Sequence, residues 1–501
     1  MIHQLCDRIK LLWVSSPALS MGLHLLIGIC FSIHWDLRYI LLSLILVLPL
    51  CHGNKRFIEQ SLISTASFLV GSIWGMVSLH HLAPTKEPIL GSAIFKIGDL
   101  KLKKSIFHSS YLYKGQITYF QSDRGQELYQ VPCQVYPPKG YERPLANSSY
   151  FIRGKIDVSE DGSTRFKTEG PWKKIDNTFS LAEIRFTAKL SFKSFIFKKI
   201  KKKNAAEFLY ALSTGELENK IMAKDFGKLG LQHILAISGF HFALVAVFCK
   251  FLINAALSRK TALFGLIICL TGYFIFLGSS PSVFRAWIAI TLAALAELTG
   301  RKSSGLNTLG ICLIIELICN PNVIFHIGFQ FSFLCTAALL ILTPKTLEWM
   351  SIFFPKRTSR ELLDFPILDR IAYLACSFLR TSMAVTLSVH LASIPLCLYH
   401  FESFPILSLF YNLFFPLLTA ISLFLLLSSS LIGLICFFPA SVIDWINTCL
   451  TSALVDLTEH TPRIFAYSIR LPSLDLFYVI TWIFISLLFI PYIKNDNFIF
   501  K

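Results

Sequence analysis

The chain alternates long apolar runs with short polar breaks, apart from one extended polar block that begins near residue 83. Three apolar stretches open it, near 17–34, 37–52 and 59–80. After the polar block a second series follows, at roughly 231–254, 261–279, 282–298, 305–319, 323–343, 372–399, 405–436 and 475–493. Crossing a bilayer core takes about 20 apolar residues in a helix. The pattern therefore predicts a polytopic α-helical membrane protein with about three spans before the polar block and about eight after it. The 37–52 stretch is short for a span and is expected to tilt or lie partly at the interface. The 405–436 stretch is too long for one simple span. Its Pro405, Pro416 and Gly433 predict a broken helix or two segments. Residues 440–462 mix Asp444, Asn447, Asp456, Glu459 and His460 with apolar positions and read as an amphipathic surface helix.

The polar block changes period. Tyr113–Phe120 and Leu128–Val135 are rich in β-branched and aromatic residues and flank a hairpin turn at Ser122-Asp123-Arg124-Gly125-Gln126. Tyr150–Ile156 and Thr164–Phe166 continue the strands around Asp161-Gly162. Several short strands punctuated by Gly and Pro predict a small β-barrel inserted into the helical protein. From Leu181 to Lys203 the chain turns helical and basic, and Phe186, Leu190 and Phe197 share a face that also carries Lys193. This reads as an interfacial helix whose lysines meet lipid phosphates. The resulting division is 1–82 for the N-terminal transmembrane helices, 83–180 for the β domain and 181–230 for basic amphipathic and interfacial helices. A second transmembrane domain covers 231–493 and a short tail 494–501.

Composition supports the membrane setting. Hydrophobic residues make up 54% and charged residues 15%, against about 25% charged in soluble domains. Charge then suggests sidedness. Arg8 and Lys10, Lys55 and Arg56, Arg259 and Lys260, Arg301 and Lys302, and Lys345 with Lys356, Arg357 and Arg360 all fall where alternation predicts cytoplasm. The N-terminus is expected in the cytoplasm and the β domain outside it. Residues 83–203 hold 23 Lys/Arg against 11 Asp/Glu, so most of the net charge of +17 lies in this block. Long translocated domains escape the positive-inside rule, which leaves that excess free to attract a polyanion.

Candidate chemistry is sparse. The thirteen cysteines form no framework and no CxxC pair. No metal site, cofactor site or nucleotide-binding G-x-x-x-x-G-K-[ST] loop is expected. The unusual feature is Leu231-Gln232-His233-Ile234-Leu235-Ala236-Ile237-Ser238-Gly239-Phe240-His241, which sets polar groups inside an apolar run. Polar side chains in a span normally face a cavity or another helix. On one continuous helix Ser238 and His241 would share a face, with His233 offset by about 80°. His233, Ser238, Gly239 and His241 are therefore candidate pore-lining residues. Arg285, and His326 with Gln330 at i, i+4, join them. In the β block Lys114, Arg124, Arg153, Lys155, Arg165 and Lys167 could track a phosphate backbone. Tyr119, Phe120, Tyr129, Tyr150, Phe151 and Phe166 could stack bases, although in alternating strands half of such aromatics must be core.

Four stretches carry a resemblance. They are Leu235-Ala236-Ile237-Ser238-Gly239-Phe240-His241 with Leu212-Ser213-Thr214-Gly215-Glu216 before it; Ser280-Pro281-Ser282-Val283-Phe284-Arg285-Ala286; Asn320-Pro321 with Gly328-Phe329-Gln330-Phe331-Ser332-Phe333; and Ala392-Ser393-Ile394-Pro395-Leu396-Cys397-Leu398-Tyr399-His400-Phe401 with Asn412. In this order the chain resembles the ComEC family of competence proteins, inner-membrane channels for DNA uptake. The resemblance implies an OB-fold-like extracytoplasmic domain and a non-enzymatic channel for single-stranded DNA in the bacterial inner membrane. It also implies partners: an extracytoplasmic DNA receptor, and a cytoplasmic helicase-like motor or strand-binding proteins. Longer members carry a metallo-β-lactamase-like domain. No His-x-His-x-Asp-His sequence is present here, so a separate nuclease is expected. Two other readings compete. One is a secondary transporter of a small anionic solute. The other is a membrane hydrolase built on Ser238 and His241, which lacks an orienting carboxylate nearby.

Overall fold

The computed structural model describes residues 12–51, 55–78, 88–104, 109–125, 127–137, 143–158, 164–177, 180–462, 467–472 and 474–489. The expected turn at Asp161-Gly162 and the 494–501 tail lie outside them.

Three helices come first: α1 (Pro17–His34), α2 (Leu37–Cys51) and α3 (Lys55–Ser78). Small residues let α1 and α3 touch backbone to backbone. A Cβ on Gly28 would strike the Phe68 carbonyl, and one on Gly71 the Leu25 carbonyl. Such contacts replace the hydrophobic drive that lipid cannot supply between helices.

Six strands follow: β1 (Ile89–Lys104), β2 (Ser109–Ser122), β3 (Glu127–Tyr136), β4 (Ser148–Val158), β5 (Thr164–Thr168) and β6 (Lys173–Asn177). The first strand and the last have no counterpart in the sequence reading. Hydrogen-bonded neighbours run β1-β2-β3-β5-β4-β6, and β1 also pairs with β4. All these pairings are antiparallel except β3–β5, which is parallel. Alternation along the strands turns Phe95, Tyr113, Ile117, Phe120, Tyr150, Ile152 and Phe166 into one apolar core. Replacing Phe166, fully buried, by alanine should destabilise the sheet by about 3–5 kcal/mol. Hydrogen exchange of the β2–β5 amides would report it, and unchanged rates would contradict the assignment.

Helix α4 (Leu181–Lys199) closes this core with Ala182 and Phe186. Ser180 caps it by accepting from the Ala182 N–H at 3.2 Å. Glu183 accepts from Arg143 Nη1 at 3.0 Å and from the Ala146 N–H at 2.8 Å. Burial alone would push the Glu183 carboxyl up. The Arg143 guanidinium and the Ala146 N–H outweigh it and hold the group below its usual range. A depressed folded-state pKa stabilises above the unfolded value and is lost as pH falls through the folded one. Acid, below about pH 4, should therefore loosen α4 from the sheet. Thermal unfolding against pH should show this limb in the native protein and a flatter one in Glu183→Gln.

The lysines of α4 do not behave as a lipid-facing set. Lys189 is buried and binds Glu216 at 2.7 Å and the Leu277 carbonyl at 2.9 Å. Lys193 binds Glu218 at 2.6 Å, and Lys199 lies 3.5 Å from Asp444. Protein carboxylates, rather than headgroups, are the partners of these three.

The second helical block is α5 (Lys203–Thr214), α6 (Lys220–Lys228), α7 (Gln232–Leu235), α8 (Gly239–Ala256), α9 (Arg259–Leu277), α10 (Pro281–Leu298) and α11 (Gly305–Cys319). A 3₁₀ turn (Pro321–Phe325) leads to α12 (Ile327–Ile341), α13 (Thr343–Phe353), α14 (Ser359–Asp364) and α15 (Ile367–Phe401). After β7 (Ser403–Pro405) come α16 (Ser408–Ile432) and α17 (Phe437–Glu459), then β8 (Ser468–Arg470), which pairs with β7, and α18 (Leu476–Phe489). Among the described residues seven helices are long and apolar enough to cross a membrane, or eight if the pair α12–α13, bent by 56°, forms one span. Three more apolar helices, α2, α11 and α18, fall short of a full span.

Three local expectations need correction. The 231–254 run is not one helix, because it breaks between Leu235 and Gly239. The 405–436 run is one helix with Pro416 inside it, preceded by a short strand. The polar helix near 440–462 packs along α16 rather than lying free on the surface. Its Asn447 is fully buried and donates to the Ser422 carbonyl at 3.1 Å.

Candidate nucleic-acid path and interface

The break in the 231–254 run explains its polar residues. Ser238 is the N-cap of α8, and its N–H and hydroxyl each lie 3.3 Å from His241 Nδ1. The i, i+3 spacing is thus a capping box, not a stripe on a continuous helix. His241 is 2% exposed. His233 sits on α7, and the helical offset assigned to it from His241 does not apply. It is exposed, and it lies within electrostatic range of both His241 and His390.

Polar groups from six helices form a row through this region. On one side, Arg285 of α10 donates from Nε to the Ser332 hydroxyl of α12 at 2.8 Å. Its guanidinium also lies over the Phe333 ring. A Cβ at Gly239 would meet Arg285 Nη2 at 3.0 Å, so glycine lets the start of α8 approach the cation. On the other side, His390 of α15 shares a hydrogen bond of 3.2 Å with the Ser408 hydroxyl at the start of α16. Gln330 Oε1 meets His400 Nε2 at 2.6 Å, and its amide donates to the Ile324 carbonyl at 2.8 Å. In this arrangement the row is closed by its own interhelical hydrogen bonds. His390 and Ser408 were missed from sequence, and Ser332 and His400 stand in the quoted motifs without being singled out as site residues. Their signal was present as polar residues within apolar runs, but their partners are remote in the chain.

Helices α8, α10, α12 and α16 all begin beside this row. Their N-terminal partial positive charges therefore gather around it. The β sheet stands at the same end of the bundle. Lys101 and Lys114 lie within electrostatic range of His326, which caps α12 by accepting from the Gly328 N–H at 3.1 Å. Arg185 of α4 ties the two parts, lying 3.4 Å from Asp99 of β1 and donating to the Ile275 carbonyl at 2.9 Å. The opposite ends of α8–α10 carry Lys250 and Arg259, both paired with Glu297. A cleft of about 300 Å³ opens there, away from the polar row.

The sheet sorts its aromatic candidates. Phe120 and Phe166 are fully buried and Tyr150 is 6% exposed, so these three are core and cannot stack bases. Alternation forces this, since Tyr119 and Phe120, like Tyr150 and Phe151, are neighbours facing opposite sides. The outward ones line up across strands: Tyr129 opposes Tyr119, Tyr119 opposes Ile94, and Ile94 opposes Phe151. Glu127 accepts from both tyrosine hydroxyls, at 2.6 Å from Tyr129 and 3.0 Å from Tyr119, and fixes the pair. Lys114, Arg124, Arg153, Lys155, Arg165 and Lys167 are all exposed. Lys155 and Lys167 face each other across β4–β5. Arg153 pairs with Asp123 and Lys155 with Glu169, each at 3.3 Å and well exposed. Such pairs hold their partners weakly. No group of three or more potential metal ligands occurs among the described residues.

The whole polar row lies within one block of sequence that a family matches. The competence protein family matches residues 213–495, more than half of the chain. The chain belongs to that family. ComE operon protein 3 of Bacillus subtilis (strain 168) is 28% identical over 255 residues, which are 48% of this chain and 29% of that protein. The matched part is thus less than a third of that relative's length. No solved structure matches. Membership agrees with the resemblance carried by the four motifs, and with a multi-pass protein of the membrane.

Proposed function

We propose that the protein conducts single-stranded DNA across the bacterial inner membrane during transformation, as a conduit without an energy source of its own. One observation carries this reading. The sheet that carries the basic, aromatic face meets, at Lys101, Lys114 and Asp99, the end of the bundle where the polar row and four helix N-termini gather. Phosphates drawn by the lysines and arginines release counterions, and Tyr119, Tyr129 and Phe151 offer faces that any base can stack on. The circuit β1-β2-β3-β5-β4 with its parallel β3–β5 pairing supports reading the sheet as an OB-fold-like barrel. On this reading the sheet is extracytoplasmic, and the basic loops at the other end of the bundle are cytoplasmic.

His233, Ser238, Gly239, His241, Arg285, His326 and Gln330 then border the path. In the closed arrangement Arg285, Gln330 and His390 satisfy Ser332, His400 and Ser408. Conduction exchanges these bonds for phosphate oxygens and water. An extracytoplasmic receptor, a separate nuclease and a cytoplasmic motor or strand-binding proteins complete the process.

The test is fluorescence anisotropy of a labelled single-stranded oligonucleotide with the full chain in lipid nanodiscs. Engagement of the six exposed cations should give a slope of log affinity against log salt of about −4. Absence of binding at low salt would reject the sheet as the interface. Flux of a small anion in proteoliposomes, indifferent to added DNA, would favour a solute carrier.

A further inference from the structure

Glu316 is an acid inside the bundle that the path does not use. It is 4% exposed on α11, and its Oε2 is buried with no hydrogen-bond partner. An intramembrane carboxyl of this kind needs either a proton or a counter-charge. Among the described residues Arg285 is the charged group that acts on it. Along α11, Gly310 and Leu313 meet Gly22 and Leu19 of α1, while His24 of α1 bonds the Ser20 carbonyl through Nδ1 and sets its ring against Trp13. Trp74 of α3 donates to the Leu317 carbonyl, the 3₁₀ turn supplies Val323 and Ile324, and α12 supplies Phe329 and Phe333. From α10 comes Arg285, within electrostatic range of Glu316, with the thiols of Cys312 and Cys335 the other ionisable groups near that guanidinium.

The geometry brings these two together. The Cys312 thiol touches the Arg285 carbonyl at 3.7 Å. Glu316 is one turn further along α11, and α11 runs antiparallel to α10. Helical side chains lean toward their own N-terminus. The Arg285 side chain therefore leans toward the level of Glu316. Yet no ion pair joins them, because the guanidinium is engaged by Ser332 and sits against Gly239.

We propose that Glu316 is a proton-binding site inside the bundle whose charge decides where the Arg285 guanidinium sits. With the carboxyl protonated, Arg285 stays on Ser332 and closes the row beside Gly239. Loss of the proton creates a buried anion, and Arg285 swings to it, freeing Ser332 and the start of α8. The ligand is a proton, and the reaction is RCOOH giving RCOO⁻ plus a proton released to water. The inference deepens the conduit reading and rests on it for its consequence, but not for its chemistry.

Infrared difference spectroscopy of the full chain in nanodiscs tests the site without DNA. Raising the pH should bleach the C=O stretch of a protonated carboxyl in the native protein. That signal should be lost in Glu316→Gln, which keeps the shape of the side chain, and return shifted in Glu316→Asp. A bleach that persists in Glu316→Gln, or none in the native protein at any pH, would overturn the proposal. A cysteine at position 332, alkylated by a small maleimide, reads the second half. With the native cysteines replaced, labelling of Ser332→Cys should rise with pH more steeply than thiolate formation alone requires, and that excess should vanish when Glu316→Gln is added. An excess unchanged by Glu316→Gln would overturn the coupling. Should the infrared and labelling results both hold while the chain imports no DNA at any pH, the proton site stands and the conduit reading fails.

Discussion

Replacing Tyr119, Tyr129 and Phe151 together by alanine is expected to weaken single-strand binding about a hundred-fold or more. Each stacked base contributes roughly 1–3 kcal/mol, and each 1.4 kcal/mol is about tenfold in affinity. The three rings are at least partly exposed and share one cross-strand row with Ile94. Their removal leaves the core of Phe95, Phe120 and Phe166 intact. Thermal stability should therefore change little while the anisotropy titration shifts. A stability loss as large as that of Phe166→Ala, with affinity unchanged, would make these rings structural instead. Charge reversal at Lys155 and Lys167 should act differently. It should lower the salt slope, whereas the aromatic variant should shift affinity at every salt concentration.

Arg285→Ala is expected to reduce DNA import about ten- to a hundred-fold with protein abundance unchanged. A hydrogen bond to a charged group contributes roughly 1.5–3 kcal/mol. The guanidinium is a cation at the meeting point of α8, α10 and α12. Its loss leaves Ser332 without that donor and removes the charge nearest Glu316. Lysine is a poor substitute, because a single ammonium cannot span Ser332 and the start of α8 as a planar fork does. Counting imported label against the amount of protein in the membrane separates the two roles. Equal losses of abundance and import would assign Arg285 to packing.

The helical frame was legible because apolar length alone predicts spans. Each of the apolar stretches read from sequence contains a helix. Breaks within them were less legible. Ser238 and His241 are three residues apart, and that spacing serves a helix face and a capping box equally well. The choice depends on whether the chain before Ser238 is helical. Strand β1 was overlooked because Lys96, Asp99 and Lys101 interrupt its apolar look. Yet Ala93, Phe95 and Ile97 alternate inward as a strand requires. The stacking face could not be sorted before register was known, since adjacent aromatics such as Tyr119 and Phe120 look alike in sequence. The lysines of α4 misled for a similar reason. Lys189 and Lys193 meet Glu216 and Glu218 across a helical hairpin, a long-range pairing that local charge does not disclose. His390 and Ser408 meet across the strand-containing loop after α15 in the same way.

The central claim is that a DNA strand passes along the polar row. The most direct measurement places a photoreactive benzoylphenylalanine at His233, an exposed member of the row, and another at Phe264, on the apolar outside of α9. Cells importing labelled duplex are illuminated and the protein is recovered. The account expects covalent label on one strand at position 233 and none at 264. Label at 264 equal to that at 233, or import that proceeds with neither position captured, would contradict it.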